Sequence, residues 1–147
     1  MNTGPVFVVP CSQAKGPVPA PAAELYTGPM FRNAYTAATL MGQVDAGRVL
    51  ILSAAHGLVA PPDVLAPYDA KLDRVDGPTV ERITASARAH GVVGVEVFAL
   101  LPRRYLSALV AGLAPLGVFP QDVFEGLRGI GDQRGVLASI RRAYAPN

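Results

Sequence analysis

Short apolar runs recur along the chain between longer stretches in which apolar residues follow helical spacing. Four runs predict strands: Pro5–Val9, Val49–Leu52, Val95–Leu100 and the short Val118–Phe119. A continuous β-branched run closed by proline or glycine is typical of a strand buried on both faces. We therefore expect a central sheet of three to four strands.

The intervening stretches predict helices. Apolar residues recur at helical spacing in Met30–Gln43 and in Pro102–Leu113. Pro78–His90 is also expected to be a helix, with Pro78 near its first turn, where a missing N–H costs nothing. Gln121–Leu127 and Asp132–Tyr144 are expected to form a closing helical hairpin around Gly129-Ile130-Gly131. Because strands alternating with helices are joined by right-handed crossovers, the sheet should be mostly parallel. The sequence predicts one α/β, Rossmann-like domain over residues 1–147, with helices flanking the sheet and a C-terminal helical hairpin.

Two segments predict loops. Gly16–Pro21 is rich in proline and should be extended, whereas Ser53–Asp76 has little periodicity and should be a long loop with at most one helical turn. Loops of that length in a compact domain are usually functional or mobile. In parallel sheets, ligands bind beyond the carboxyl ends of the strands. The residues that follow the first two strands are therefore the first place to look for a site.

Composition narrows the class of protein. Half of the 147 residues are hydrophobic and 16% are charged, which excludes a disordered tail. No apolar run reaches the roughly 18–20 residues that span a bilayer, and no basic segment precedes the first apolar run, so neither a membrane span nor a signal peptide is expected. A single cysteine cannot form an intramolecular disulfide, which favours the reducing cytoplasm.

The first strand runs into Cys11-Ser12-Gln13-Ala14-Lys15, which places a thiol, a hydroxyl, an amide and an amine within five residues. Backbone donors of this loop, with Ser12 and Lys15, are suited to hold a phosphate or a polar base edge. Lys15 is also a candidate nucleophile toward a sugar carbon. The alternative is structural: Cys11 is a small buried hydrophobe and Ser12 caps a turn.

The second strand runs into Ser53-Ala54-Ala55-His56-Gly57. A histidine at this edge of the sheet is a candidate general acid or base near neutral pH, and Gly57 would permit the turn that aims it. The alternative is a loop histidine that bonds only to backbone. No second histidine or cysteine has ligand spacing, so no metal site and no cofactor are predicted.

Two further pairs are ambiguous. In the long loop, Tyr68 is suited to stack on a base and Asp69 to orient His56 or a water, although both are also ordinary turn residues. Glu24 is a candidate to neutralise Lys15, and Tyr26 is a candidate to contact substrate. The alternative is that Tyr26 covers the core beside the first helix.

The C-terminal region carries a possible nucleic-acid contact. Four of the 11 arginines fall in the last 20 residues, where arginine suits phosphate by its planar donors. Within Leu127–Gly135, the Gly-Ile-Gly segment resembles the turn of a helix-hairpin-helix DNA-binding motif, whose backbone N–H groups face a phosphate. Arg128 replaces the proline common at that turn, and Asp132 favours a helix N-cap instead. The alternatives are a tight turn before the last helix and a solvated helix face.

Several short motifs occur along the chain in a fixed order. They are Pro10-Cys11-Ser12-x-x-Lys15, Glu24-Leu25-Tyr26, Leu52-Ser53-x-x-His56-Gly57-Leu58, Pro67-Tyr68-Asp69 and Gly129-Ile130-Gly131. The set resembles an uncharacterised domain family of bacterial and phage proteins, which is distantly similar to the peroxide-stress protein YaaA and to a domain of archaeosine synthase. The resemblance implies a link to nucleic acid or modified nucleobases. Ala55 departs from the lysine expected before the His-Gly pair.

The leading hypothesis is an enzyme, a glycosylase or transferase, acting on a nucleobase or N-glycosidic bond of a nucleotide or nucleic acid. The candidate catalytic residues are Lys15, His56 and Asp69. The candidate substrate-binding residues are Cys11, Ser12, Glu24, Tyr26, Ser53, Gly57 and Tyr68. The candidate nucleic-acid contacts are Arg128, Gly129, Gly131, Arg134 and Arg141. The alternatives are a nonenzymatic nucleic-acid-binding protein of stress response or phage defence and a protein that binds a nucleotide-like metabolite; no membrane partner is expected.

Overall fold

A computed structural model of the chain describes residues 4–72, 75–127 and 130–144. Its elements, in chain order, are β1 (Val6–Pro10), β2 (Ala20–Pro21), α1 (Ala22–Leu25), α2 (Pro29–Asp45), β3 (Arg48–Ser53), β4 (Gly57–Val59), β5 (Val64–Leu65), α3 (Gly77–Ala89), β6 (Val97–Ala99), α4 (Arg103–Leu113), a 3-10 turn (Ala114–Leu116), β7 (Gln121–Asp122) and α5 (Ile130–Tyr144). Within the described residues, no helix has both the length and the apolar character needed to cross a membrane.

The central sheet has the strand order β4-β3-β1-β6-β7. β1 pairs in parallel with β3 and β6, β6 pairs in parallel with β7, and only β4 is antiparallel to its neighbour β3. The predicted α/β class with a mostly parallel sheet is therefore confirmed. The sheet has five strands instead of three to four because a hairpin within the predicted long loop adds β4 at one edge.

The crossovers determine which helices cover which face. The connection from β1 to β3 and the connection from β3 to β6 run in opposite directions across the sheet. Right-handed crossovers therefore place α2 on one face and α3 and α4 on the other. α5 packs on α2, and α3 packs on α4. β1 lies in the middle with all five residues buried, which agrees with its continuous apolar sequence.

The C-terminal part differs from the predicted helical hairpin. Gln121 and Asp122 form β7, which pairs with β6, and the backbone then turns at Gly126 with a φ of 85°. The Oδ1 atom of Asp122 accepts a bond of 2.9 Å from the N–H of Phe124, which closes that turn. Seven residues are too few to favour a helix over pairing with an open strand edge. The region therefore ends in one helix, α5.

The strand predicted at Val118–Phe119 is also absent, and β7 begins two residues later. Gly117 adopts a left-handed conformation with a φ of 70°, and the N–H of Val118 then bonds to the carbonyl of Leu113. Val118 is buried in the core, whereas Phe119 is 76% exposed. The apolar pair therefore reflects a helix end that turns back on itself, not a strand.

A second, two-stranded sheet joins the two segments that the sequence predicted to be loops. β2 pairs antiparallel with β5, and the N–H of Ala22 bonds to the carbonyl of Asp63. The segment after β1 and the segment after β3 are thereby held against each other. This contact brings together side chains that are distant in sequence.

Candidate functional site

The carboxyl ends of β1 and β3 lie side by side. Pro10 is in register with Leu52, and the N–H of Cys11 bonds to the carbonyl of Leu52 at 3.1 Å. The residues after β1 and those after β3 therefore leave the same edge of the sheet. This is the juxtaposition that the alternation of strands and helices predicts.

Ser12 holds the first loop in place. Its hydroxyl donates to the carbonyl of Ala14 at 2.6 Å and accepts from the N–H of Gly28 at 3.1 Å. Gly28 precedes α2, and a Cβ there would lie 2.7 Å from the Cβ of Ser12, too close for two carbon atoms. The loop is therefore fixed on the start of α2. The hydroxyl of Ser12 is used within the fold, which fits the structural alternative for this residue.

Lys15 lies over an aromatic ring. Lys15 forms a backbone bridge to Tyr26, and its Nζ donates to the carbonyl of Gln13 at 3.1 Å. The same Nζ is 4.1 Å from the ring centroid of Tyr68 and 5.8 Å from that of Tyr26. Attraction between the ammonium and the ring face orients Lys15 at the sheet edge.

The hairpin between β3 and β4 presents His56. The Oγ of Ser53 accepts from the N–H groups of Ala55 and His56 at 3.3 and 3.2 Å. Gly57 has a φ of 74°, a left-handed conformation that closes the turn at low cost only for glycine. The imidazole of His56 is exposed and meets the ring of Tyr68 edge-on, with 5.2 Å between centroids. The turn that Gly57 is expected to permit is therefore present.

A chain of hydroxyl groups connects the two loops beneath these side chains. Ser53 lies 2.8 Å from the hydroxyl of Tyr68, which lies 2.6 Å from the hydroxyl of Tyr26. Because the Oγ of Ser53 already accepts two backbone N–H groups, it donates to Tyr68, and Tyr68 in turn donates to Tyr26. The three residues belong to separate segments of the polypeptide, so the hydrogen bonds between their hydroxyl groups fix the positions of these segments relative to one another.

Cys11 meets a third tyrosine. Its Sγ lies 3.4 Å from the hydroxyl of Tyr105, in the first turn of α4, and Cys11 is 7% exposed.

The strands β1 and β6 are neighbours, and the connections that leave them cover opposite faces of the sheet. This arrangement leaves a ligand crevice in doubly wound sheets. We call Cys11, Lys15, Tyr26, Ser53, His56, Tyr68 and Tyr105 the carboxyl-edge cluster.

Burial governs the ionisation of the tyrosines in the cluster. It raises the pKa of Tyr26, of Tyr68 and of Tyr105, and the neighbouring Cys11 sulfur raises each pKa further. All three phenols therefore stay protonated at neutral pH. They act as neutral hydrogen-bonding groups rather than as bases.

Two predicted partners stay outside the carboxyl-edge cluster. Glu24 is exposed, and the structure describes no ion pair between it and Lys15. Asp69 is exposed, and the structure describes no hydrogen bond between it and His56. Conversely, Tyr105 was missed by sequence reasoning. Its position in the first turn of the helix that follows a predicted strand is the signal that could have found it.

The predicted nucleic-acid contacts are placed only in part. Arg128 and Gly129 lie outside the described residues. Gly131 belongs to the first turn of α5, as does Asp132, so the helix begins before the expected N-cap. Arg134 is exposed, and Arg141 donates to the side chain of Asn33 at 3.0 Å. In the parts of the chain that are described, no three histidine, cysteine or acidic side chains are grouped as a metal site would need.

These features define a doubly wound α/β domain with a polar cluster at the carboxyl edge of its sheet. A family model matches residues 6–139, and the chain belongs to that family, a family of unknown function (DUF6884). The matched span contains every member of the carboxyl-edge cluster. No curated protein and no solved structure gives a significant match.

Proposed function

We propose that the protein is an enzyme that acts on a nucleobase or its N-glycosidic bond, in a nucleotide or in nucleic acid, at the carboxyl-edge cluster. One observation carries the proposal. The ammonium of Lys15 and the imidazole of His56 come from the loops of two neighbouring strands and meet the same ring, that of Tyr68. A cation and a titratable base beside a locked scaffold are the groups that this chemistry needs.

Hydrolysis of an N-glycosidic bond gives these groups definite roles. Water adds to the anomeric carbon, the carbon–nitrogen bond breaks, and the base leaves with its bonding electrons and takes up a proton. His56 exchanges the proton with water or with the leaving base, since an imidazole nitrogen both accepts and donates a proton. Lys15 holds a phosphate or the negative charge of the leaving base. Asp69, exposed next to Tyr68, is available to position the water.

Tyr68 acquires a different role from the one its sequence position suggests. Its hydroxyl is engaged by Ser53 and Tyr26, one ring face carries Lys15, and His56 packs edge-on. Stacking a base on that face would displace Lys15. We therefore assign Tyr68 as a positioning residue for Lys15 and His56.

The motif resemblance supports the same class of substrate. The Pro-Cys-Ser-x-x-Lys and His-Gly motifs contribute Cys11, Lys15 and His56 to the cluster. Their similarity to YaaA and to a domain of archaeosine synthase would link the site to nucleic acid or modified bases.

Release of free base from modified DNA, RNA and nucleosides tests the proposal. The chain offers matched controls, because it contains two lysines and two histidines. Lys15→Ala and His56→Ala should abolish release, whereas Lys71→Ala and His90→Ala should retain it. No release from any substrate by the wild-type protein, or equal loss in all four variants, would argue against the enzyme.

A nonenzymatic nucleic-acid-binding protein is the second candidate, and the surface of α5 favours it. Exposed Arg134 and Arg142 lie on this helix, where a groove of about 720 Å³ runs along Val136 and Ile140. Binding through such arginines should weaken steeply with salt. Arg134→Ala should then lower both the affinity and the salt dependence, and Lys15→Ala should change neither. Binding of free nucleotides without oligonucleotides would favour a metabolite-binding protein instead.

A further inference from the structure

A polar cavity lies along the same edge of the sheet as the carboxyl-edge cluster, at the ends of β6 and β7. It has a volume of about 100 Å³, and its lining includes Leu101, Arg103, Leu106, Asp122 and Gln133. Arg103 and Leu106 belong to α4, the helix whose Tyr105 reaches Cys11. The same helix therefore contributes side chains to both the cavity and the carboxyl-edge cluster.

Gln133 marks this cavity as a binding site. The residue is only 9% exposed, and its Oε1 has no hydrogen-bond partner within the part of the chain that the structure describes. A buried carbonyl without a donor destabilises the free protein. Since nearly all buried polar groups in proteins are paired, such an atom indicates a missing donor.

The lining specifies what kind of donor fits. One carboxylate oxygen of Asp122 accepts from the N–H of Phe124, which leaves the other oxygen as a second acceptor. The guanidinium of Arg103 disfavours a cationic amine in the same space. The volume equals about three water molecules at roughly 30 Å³ each, which is too small for a nucleobase and sufficient for two hydroxyl groups.

A neighbouring cavity contains two arginine side chains. It has a volume of about 440 Å³ and is lined by Val75, Arg103, Arg104 and Ser107. Arg103 is thus shared by the two cavities. Two adjacent guanidinium groups suit a phosphate by charge and by geometry.

We propose that the Gln133 cavity binds the vicinal hydroxyls of a pentose whose phosphate lies at Arg103 and Arg104. The hydroxyls donate to Gln133 and Asp122 and accept from Arg103. This inference rests on the proposed function and narrows its substrates to free ribonucleotides and the 3′-terminal nucleotide of RNA, because both carry vicinal hydroxyls that the deoxy counterparts and the internal nucleotides of a chain lack.

Calorimetric titration with ribonucleoside 5′-monophosphates and the matching 2′,3′-dideoxy compounds tests this subsite. The wild-type protein should bind the ribose series at least tenfold more tightly. Gln133→Leu should reduce that affinity to the dideoxy level without lowering the melting temperature of the free protein, since it removes an unpaired buried carbonyl. Asp122→Asn keeps the oxygen that bonds Phe124 and should also reduce the preference. Gln43→Leu, at an exposed glutamine on α2, should behave as wild type.

Each result separates this subsite from the wider proposal. Equal binding of the two sugar series overturns the subsite and leaves the proposed function intact. A ribose preference that survives both Gln133→Leu and Asp122→Asn places the hydroxyls elsewhere and overturns it as well. If no nucleotide binds, and neither RNA nor DNA of the same base sequence binds, both proposals are wrong.

Discussion

The carboxyl-edge cluster and the outer surface of α5 both carry polar side chains, but they are built in opposite ways. In the cluster, Lys15 and His56 come from separate segments and both contact the ring of Tyr68. The hydroxyl of Tyr68 is in turn bonded to Ser53 and Tyr26, which holds that ring in place. On α5, by contrast, Arg141 bonds to Asn33 and Arg142 bonds to Ser139 of its own helix, both in exposed positions. The comparison separates a preorganised site from a basic surface.

The difference lies in what holds each polar group. A side chain fixed by burial and several bonds needs little reorganisation when it meets a ligand, which is the condition for effective electrostatic catalysis. An exposed arginine stays mobile, and its pairing contributes little to stability. Variants in the cluster should therefore act on chemistry and on folding, whereas variants on α5 should act mainly on the capture of a charged partner.

The largest expected effect concerns turnover. Lys15→Ala and His56→Ala should each lower kcat by about 100- to 10,000-fold, the range typical of a lost acid–base or charge-stabilising group. Arg134→Ala combined with Arg141→Ala should instead raise KM for a nucleic-acid polymer and change kcat little. Steady-state kinetics on the released base measure both. A large loss of kcat in the α5 double variant would contradict the view that the cluster acts in turnover and α5 only in the capture of a charged partner.

The next effect concerns stability. Tyr68→Phe removes the hydroxyl that joins Ser53 to Tyr26 and should lower the free energy of unfolding by about 1–3 kcal/mol. Tyr35→Phe is the matched control, because Tyr35 stacks on Phe31 and the structure describes no hydrogen bond of its hydroxyl. Its effect should stay within about 0.5 kcal/mol. Urea unfolding of both variants measures the difference, and equal losses would mean that the hydroxyl chain contributes nothing special.

Alkaline pH should weaken the cluster selectively. Burial raises the pKa of Tyr26 above its ordinary value of 10.0, so the folded protein holds that proton longer than the unfolded chain does. The stabilisation is fully present below about pH 10 and is lost as the pH rises towards the folded pKa, by at most about 1.4 kcal/mol per pH unit for one tyrosine. Unfolding measured between pH 8 and pH 12 should show this decline, and Tyr26→Phe should make it shallower. A decline of equal slope in that variant would refute the assignment.

The smallest effect belongs to α5. Arg141→Ala removes an exposed bond to Asn33 and should cost less than about 1 kcal/mol. A double-mutant cycle with Asn33→Ala should give a coupling energy near zero. A coupling well above 1 kcal/mol would show that this contact fixes α5 on α2 and that the surface is less mobile than we argue.

The sequence by itself determined where the main strands and helices lie and which loops carry chemistry. Apolar runs and helical spacing are local signals, so β1, β3 and helices α2 to α4 fall close to their predicted positions. The loops Cys11–Lys15 and Ser53–Gly57 leave one sheet edge, as parallel strands require. In contrast, β7 was predicted as part of a helix, because a two-residue strand is stabilised only by the partner strand beside it.

Only the tertiary structure decided which side chains meet. Sheet order and crossover handedness bring Tyr68 to Lys15 and Tyr105 to Cys11, although 53 and 94 positions separate them in the chain. The same packing turns the hydroxyl of Ser12 into the fold and leaves Glu24 and Asp69 at the surface. Side-chain convergence depends on contacts between distant segments, and periodicity along the chain does not record those contacts.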